Sequence, residues 1–144
     1  ATEGLSEEDV FPMGGGEVVS IHLPGHASEG MGFHIPHLST LVVGALIPRA
    51  DRPTRWDLPG GSLMDVIASL KRIKRLNLTS IVPLQGPAIR GAEHVQEVLD
   101  RHLAFHEEAV NNEGRPPPSW DRPAPTAVWL TPRTPWPLEE HETV

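Results

Sequence analysis

The sequence predicts a mixed α/β (α+β) domain in the order β-β-β-α-β-α, a sheet with helices packed on it. Three observations carry that expectation. Short β-branched apolar runs end at proline or glycine, two longer stretches repeat apolar residues at helical spacing, and turn residues separate the two kinds. At 144 residues the chain has the length for one modest core.

Glu17-Val-Val-Ser-Ile-His-Leu23 alternates partly and stops at Pro24-Gly25, a strand running into a turn. Gly30-Met-Gly-Phe-His-Ile-Pro36 reads as a second strand closed by its proline, and Thr40-Leu-Val-Val-Gly-Ala-Leu-Ile47 as a buried third. Residues 49–61 form a loop with Pro53, Pro59 and Gly60-Gly61. Ser62 then supplies an N-cap, with Asp65 at the third helical position. Leu63, Val66, Ile67, Leu70, Ile73 and Leu76 form one apolar stripe. Lys71, Arg72, Lys74 and Arg75 crowd the last turns, where positive charge suits the helix dipole, and read as a solvated face. Ser80-Ile-Val-Pro83 is a short strand, and Gly91 to Val110 a second helix burying Val95, Val98, Leu99 and Leu103.

The rest of the chain is compositionally different. Glu3, Glu7, Glu8 and Asp9 make the first ten residues acidic with no basic partner, and eight of the 16 prolines lie beyond residue 111. Such segments bury too little apolar area to offset ordering entropy alone. The expected organisation is therefore an acidic arm over 1–16, a folded unit over 17–110, and a proline-rich extension over 111–144. That extension carries Trp120, Trp129 and Trp136, indoles that either pack on their own domain or clasp a partner.

Composition excludes several function classes. A net charge of −7 argues against a nucleic-acid binder, which needs a basic face to displace counterions. The absence of cysteine removes disulfides, thiolate metal sites and a cysteine nucleophile. No apolar run approaches membrane-spanning length, and Ala1 to Val10 has neither a basic nor an apolar leader region, so the expectation is a cytoplasmic protein away from membranes. Gly14-Gly15-Gly16 precedes a strand rather than a helix, and reads as a tight turn rather than a phosphate loop. Ser62 is a cap, and no glycine-flanked nucleophile elbow occurs. His22, His26, His34 and His37 fall close together in sequence, but strand parity disperses such residues and no carboxylate is spaced to join them. His102 and His106, beside Glu107 and Glu108, read as solvated histidines at an exposed helix end.

Leu23-Pro24-Gly25-His26-Ala27-Ser28-Glu29-Gly30, followed by a strand and then Leu41-Val-Val-Gly44, resembles the second half of a metallo-β-lactamase-fold hydrolase. That superfamily has a PGHT-like turn, a short strand, and a glycine-aspartate ending the next strand. Asp57-Leu58-Pro59-Gly60-Gly61, before a helix offering Ser69-Leu70-Lys71-Arg72-Ile73, is similar to the glyoxalase II-like branch and its "SLxRL" helix. Ile81-Val82-Pro83-Leu84-Gln85-Gly86-Pro87 stands where the family has a second PGHGP turn. The resemblance runs from Glu17 to Glu108. It implies half of a four-layer αββα sandwich.

The same resemblance implies what is missing. Family members hold one or two zinc ions with an HxHxDH motif from the first half of the domain. To this they add a histidine from the first turn, an aspartate after the later strand, and a histidine from the second turn. No HxHxDH occurs here; His26 matches the first-turn ligand, Ala45 takes the aspartate position, and Gln85 the second-turn histidine. Zinc hydrolysis needs three or four well-held ligands and an open position for water. No zinc or other cofactor is expected for this chain alone, and no catalytic residue; zinc at His26 would require ligands from a partner. The expected function is a non-catalytic structural or regulatory subunit, paired with a second copy or with another chain supplying the missing half. Two other readings are one half of a split zinc-dependent thioester or ester hydrolase, and a small-ligand module whose cleft is lined by His26, Gln85 and Asp57.

Overall fold

The structure, a computed structural model, describes residues 9–57 and 59–115. The acidic segment before Asp9 and the segment bearing Trp120, Trp129 and Trp136 lie outside the described residues.

Six strands form one sheet in the order β1 (Val10–Met13), β2 (Gly16–His22), β3 (Met31–Ile35), β4 (Thr40–Gly44), β5 (Ser80–Pro83) and β6 (Ile89–Arg90). Neighbours are antiparallel except β4 and β5, which are parallel. A parallel pair needs a crossover, and α1 (Leu63–Lys74) supplies it; α2 (Ala92–Asn111) follows β6. A short 3-10 turn, Pro36–Leu38, joins β3 to β4. The strands expected at Glu17, Gly30, Thr40 and Ser80 are β2 to β5, and both expected helices are present. Strand β4 stops at Gly44, so Ala45 to Ile47 leave the sheet rather than extending it.

Two strands have no counterpart in the sequence reading. Strand β1 falls within the expected N-terminal arm, so the sheet begins before Glu17. Met13 pairs with Gly16 across Gly14-Gly15, and Gly15 has φ of +82°, so the glycines close a two-residue hairpin. Pro12 is tolerated because β1 is an edge strand. Strand β6 is only two residues long, below what alternation can reveal.

Register decides which side chains meet the helices. Val19, His34, Leu41, Ile81 and Ile89 align across five strands on one face. Leu41, Ile81 and Ile89 join Ile21 and Val43 in a buried cluster with Val66, Leu70 and Ile73 of α1 and Val95, Val98 and Leu99 of α2. Ser62 caps α1 through its Oγ, which accepts from the Asp65 amide at 3.2 Å. The basic cluster is less free than a solvated face: Lys74 reaches Asp100 at 2.7 Å, Lys71 reaches Glu107 at 3.7 Å, and Arg72 donates to the His22 carbonyl at 3.3 Å.

The opposite face of the sheet is apolar too. Ser20, Phe33, Val42 and Val82 align across it, with Phe11 paired to Val18 in the next register row. Phe11 is 39% exposed, and Phe33 and Val42 are each 37% exposed.

Candidate functional site

Strands β4 and β5 run parallel, so their C-terminal ends open at the same edge of the sheet. The turn after β2 is brought to that edge by α1. The Ser62 amide donates to the Gly25 carbonyl at 2.8 Å, and Ser69 Oγ donates to the Pro24 carbonyl at 2.7 Å. Only glycine fits at position 25: its φ is +145°, and a Cβ there would lie 2.7 Å from Val66 Cα and 2.8 Å from the Val66 amide nitrogen. The Pro24-Gly25 turn thus rests directly on the first turn of α1 and fixes where His26 begins.

Half-buried His26 sets its Nδ1 3.1 Å from Thr54 Oγ1. Thr54 is fully buried and donates its one hydroxyl proton to the Ala45 carbonyl at 2.9 Å. With that proton directed to the Ala45 carbonyl, the hydroxyl oxygen has a lone pair directed to accept from an Nδ1–H of His26, the arrangement that leaves Nε2 with a lone pair in the neutral ring. Thr54 in this way ties the first-turn histidine to the backbone of Ala45. Nothing in the sequence pattern singles Thr54 out; it lies in an irregular loop with no motif of its own.

The other expected residues are differently placed. Asp57 is exposed and held by Arg55 in a two-pronged pair, Nε to Oδ1 at 3.0 Å and Nη2 to Oδ2 at 2.8 Å. The hydrogen bonds from Arg55 hold its carboxyl below the usual carboxylate range. Gln85 is exposed after β5; its backbone N–H donates to the Pro48 carbonyl at 2.8 Å, which fixes its backbone beside the loop leaving β4.

The remaining histidines are dispersed. His22 Nε2 donates to the Ser28 carbonyl at 2.8 Å, His34 lies in the helix-facing row, where burial lowers its pKa, and the His37 ring covers Gly16. For His102 and His106 the sequence reading needs correction: both are fully buried rather than solvated. The helix turns them inward, toward the loop before α1, while Glu107 and Glu108 stay exposed. Residues at i and i+4 share a face, and here that face is the buried one.

The donor set does not fit a zinc or iron centre. Of the three positions that the resemblance assigns to metal ligands, only His26 offers a ligating nitrogen; the side chain of Ala45 has no donor atom, and the amide of Gln85 is a poor one. Among the described residues, no group of three or more histidine, aspartate or glutamate side chains is placed to hold a metal ion.

Comparison with solved structures follows this geometry. A metallo-β-lactamase family protein from Thermus thermophilus, TTHA1429, superposes with a TM-score of 0.59 over 75% of this chain and 37% of its own, at 19% identity. The fold resembles half of a metallo-β-lactamase fold. ETHE1 from Myxococcus xanthus gives the same TM-score over 79% of this chain and 53% of its own, at 17% identity. TTHA1623 in a di-iron-bound form matches at 0.54 over 68% of this chain and 47% of its own, at 28% identity. An uncharacterized protein from Aquifex aeolicus (strain VF5) is 35% identical over 69 residues, 48% of this chain and 32% of that protein. The half-domain thus spans about a third of the curated relative it matches. No protein-family model matches the chain. No helix among the described residues is long and apolar enough to cross a membrane.

Proposed function

We propose that the chain is a non-catalytic metallo-β-lactamase-like half-domain, acting in the cytoplasm as a structural or regulatory subunit of a homo- or hetero-oligomer. One observation carries this reading: at the edge where β4 and β5 end, the ligand positions hold His26, Ala45 and Gln85, one nitrogen donor instead of three. A water on zinc becomes a nucleophile near neutral pH only when the ion is firmly held, and one imidazole cannot hold it. The exposed apolar face with Phe11, Phe33 and Val42 favours pairing, because a contiguous patch of that kind marks an interaction surface.

Equilibrium dialysis against zinc tests the proposal. The chain is expected to retain no stoichiometric zinc and to hydrolyse no thioester. An Ala45→Asp/Gln85→His variant, with two donors added beside His26, is expected to gain zinc binding that His26→Ala abolishes. Stoichiometric zinc in the unaltered chain, lost on His26→Ala, would overturn the reading.

One observation favours a second reading, half of a split hydrolase. His26 is held through Nδ1 by Thr54, which leaves Nε2 as the ring nitrogen that a partner's ligand set would use. Under that reading, zinc binding and ester or thioester hydrolysis arise only when a chain bearing HxHxDH is added.

A further inference from the structure

We propose that His102, on the far helix, is a positioning residue for His26, acting through a loop that it pins at Ala50. The proposal goes beyond the subunit reading and does not depend on it. It starts from residues 49–57, an irregular segment that is unusually buried. Asp51, Pro53, Thr54 and Trp56 are all buried, although loops ordinarily run over the surface. A buried loop must find partners for its backbone and polar side chains, and α2 supplies them at one end and α2 with the turn that follows it at the other.

At the first end, His102 Nε2 donates to the Ala50 carbonyl at 3.0 Å, from a side chain with no exposed surface. At the second, the Trp56 indole sits edge-on to His106, ring centroids 5.0 Å apart, and its Nε1 donates to the Gly114 carbonyl at 3.2 Å. Within the loop, Arg49 and Asp51 form an ion pair at 3.3 Å, and the Arg52 amide donates to the Arg49 carbonyl at 3.1 Å. Thr54 lies between the two clamps. Its hydroxyl is the group that accepts from His26 and donates to Ala45.

The chain of contacts is therefore continuous: His102 to Ala50, along the loop to Thr54, and from Thr54 to the ring of His26. The two hydrogen bonds differ in what they fix. The Ala50 oxygen can only accept, so His102 donates from Nε2; under the proposal, Thr54 held with its proton on Ala45 selects the Nδ1–H form of His26. An imidazole left to itself prefers the opposite tautomer to that of His26, so the loop must hold Thr54 in place to impose it. Displacing Ala50 lets Thr54 turn away, and His26 loses the partner that keeps its Nε2 available.

Long-range nitrogen NMR of the histidine rings in the metal-free chain reads this directly, at a pH about two units above the ordinary imidazole value of about 6.5. The unaltered chain is expected to show His26 as a single Nδ1-protonated tautomer. His102→Gln places an amide N–H where Nε2–H was and is expected to keep that signature, whereas His102→Leu, of similar bulk but without a donor, is expected to shift it to a mixture. Thr54→Val cuts the last link and is expected to shift His26 while leaving His102 protonated at Nε2. If His102→Leu does not fold, His102→Met, unbranched and likewise without a donor, takes its place with the same expected mixture. A His26 signature unchanged in folded His102→Leu or in Thr54→Val would overturn the proposal, as would an equal shift in His102→Gln. Zinc bound by the unaltered chain would sink the non-catalytic reading and leave this result untouched, since the tautomers are read without metal.

Discussion

His106 is the residue most at odds with its surroundings. It is fully buried, lies among Trp56 and Phe105, and neither ring nitrogen has a hydrogen-bond partner among the described residues. Burial, with a smaller push from His102, takes its pKa down to about 3; burial takes His102 down to about 4 despite the bond to Ala50. A buried polar group without a partner costs about 1–3 kcal/mol, so His106→Leu is expected to stabilise the fold by about that amount in urea denaturation at neutral pH. The same depressed values set the acid response. Between about pH 6.5 and 4 the unfolded chain binds protons at these rings and the folded chain does not, so stability is full above that window and falls as the pH drops through it. The shift of His102 alone corresponds to about 3 kcal/mol. The Arg49–Asp51 pair lies in the loop that His102 contacts, and Glu107, next to His106, pairs with Lys71 of α1. A circular-dichroism titration is expected to show cooperative acid unfolding, with its midpoint moved to lower pH in His106→Leu. Helical spacing placed both histidines on one face of α2, but their position near the helix end suggested solvent; only the loop folded over that end makes the face a core.

At the scale of elements, the helix start and the turn it holds are interdependent. Gly25→Ala is expected to cost about 2–4 kcal/mol, because a Cβ would collide with the Val66 backbone at a φ rarely adopted by side-chain-bearing residues. Ser62→Ala removes the cap and is expected to cost about 1 kcal/mol, measurable in the same urea transitions. The order of elements was legible because α1, α2 and β2 to β5 each carry a periodic apolar pattern. Strands β1 and β6 were not. The first is short, contains Pro12 and follows an acidic stretch; the second has two residues, and its pairing with β5 is a property of the assembled sheet. The candidate site was legible in the same uneven way. His26 announced itself through the Pro24-Gly25 turn, whereas Thr54 comes to the site by long-range packing that no local pattern encodes.

At the scale of the molecule, the sheet has one face closed by helices and one carrying Phe11, Phe33 and Val42 half-open to solvent. The solved structures of this fold are longer, and this chain spans 37–53% of the three compared. A charge placed in the centre of the open face is expected to weaken association without unfolding the chain, since Phe33 is outside the buried core cluster. Light scattering of Phe33→Asp is expected to give a lower mass than the unaltered protein at equal concentration, with the same circular-dichroism spectrum.

The most direct test of a non-catalytic, paired half-domain is native mass spectrometry of the chain, from its own host, after exposure to zinc. The expected spectrum shows an assembly, of two copies or of this chain with another, in which this chain carries no stoichiometric metal. A monomer with a zinc ion bound to each chain, displaced in His26→Ala, would contradict both halves of that claim.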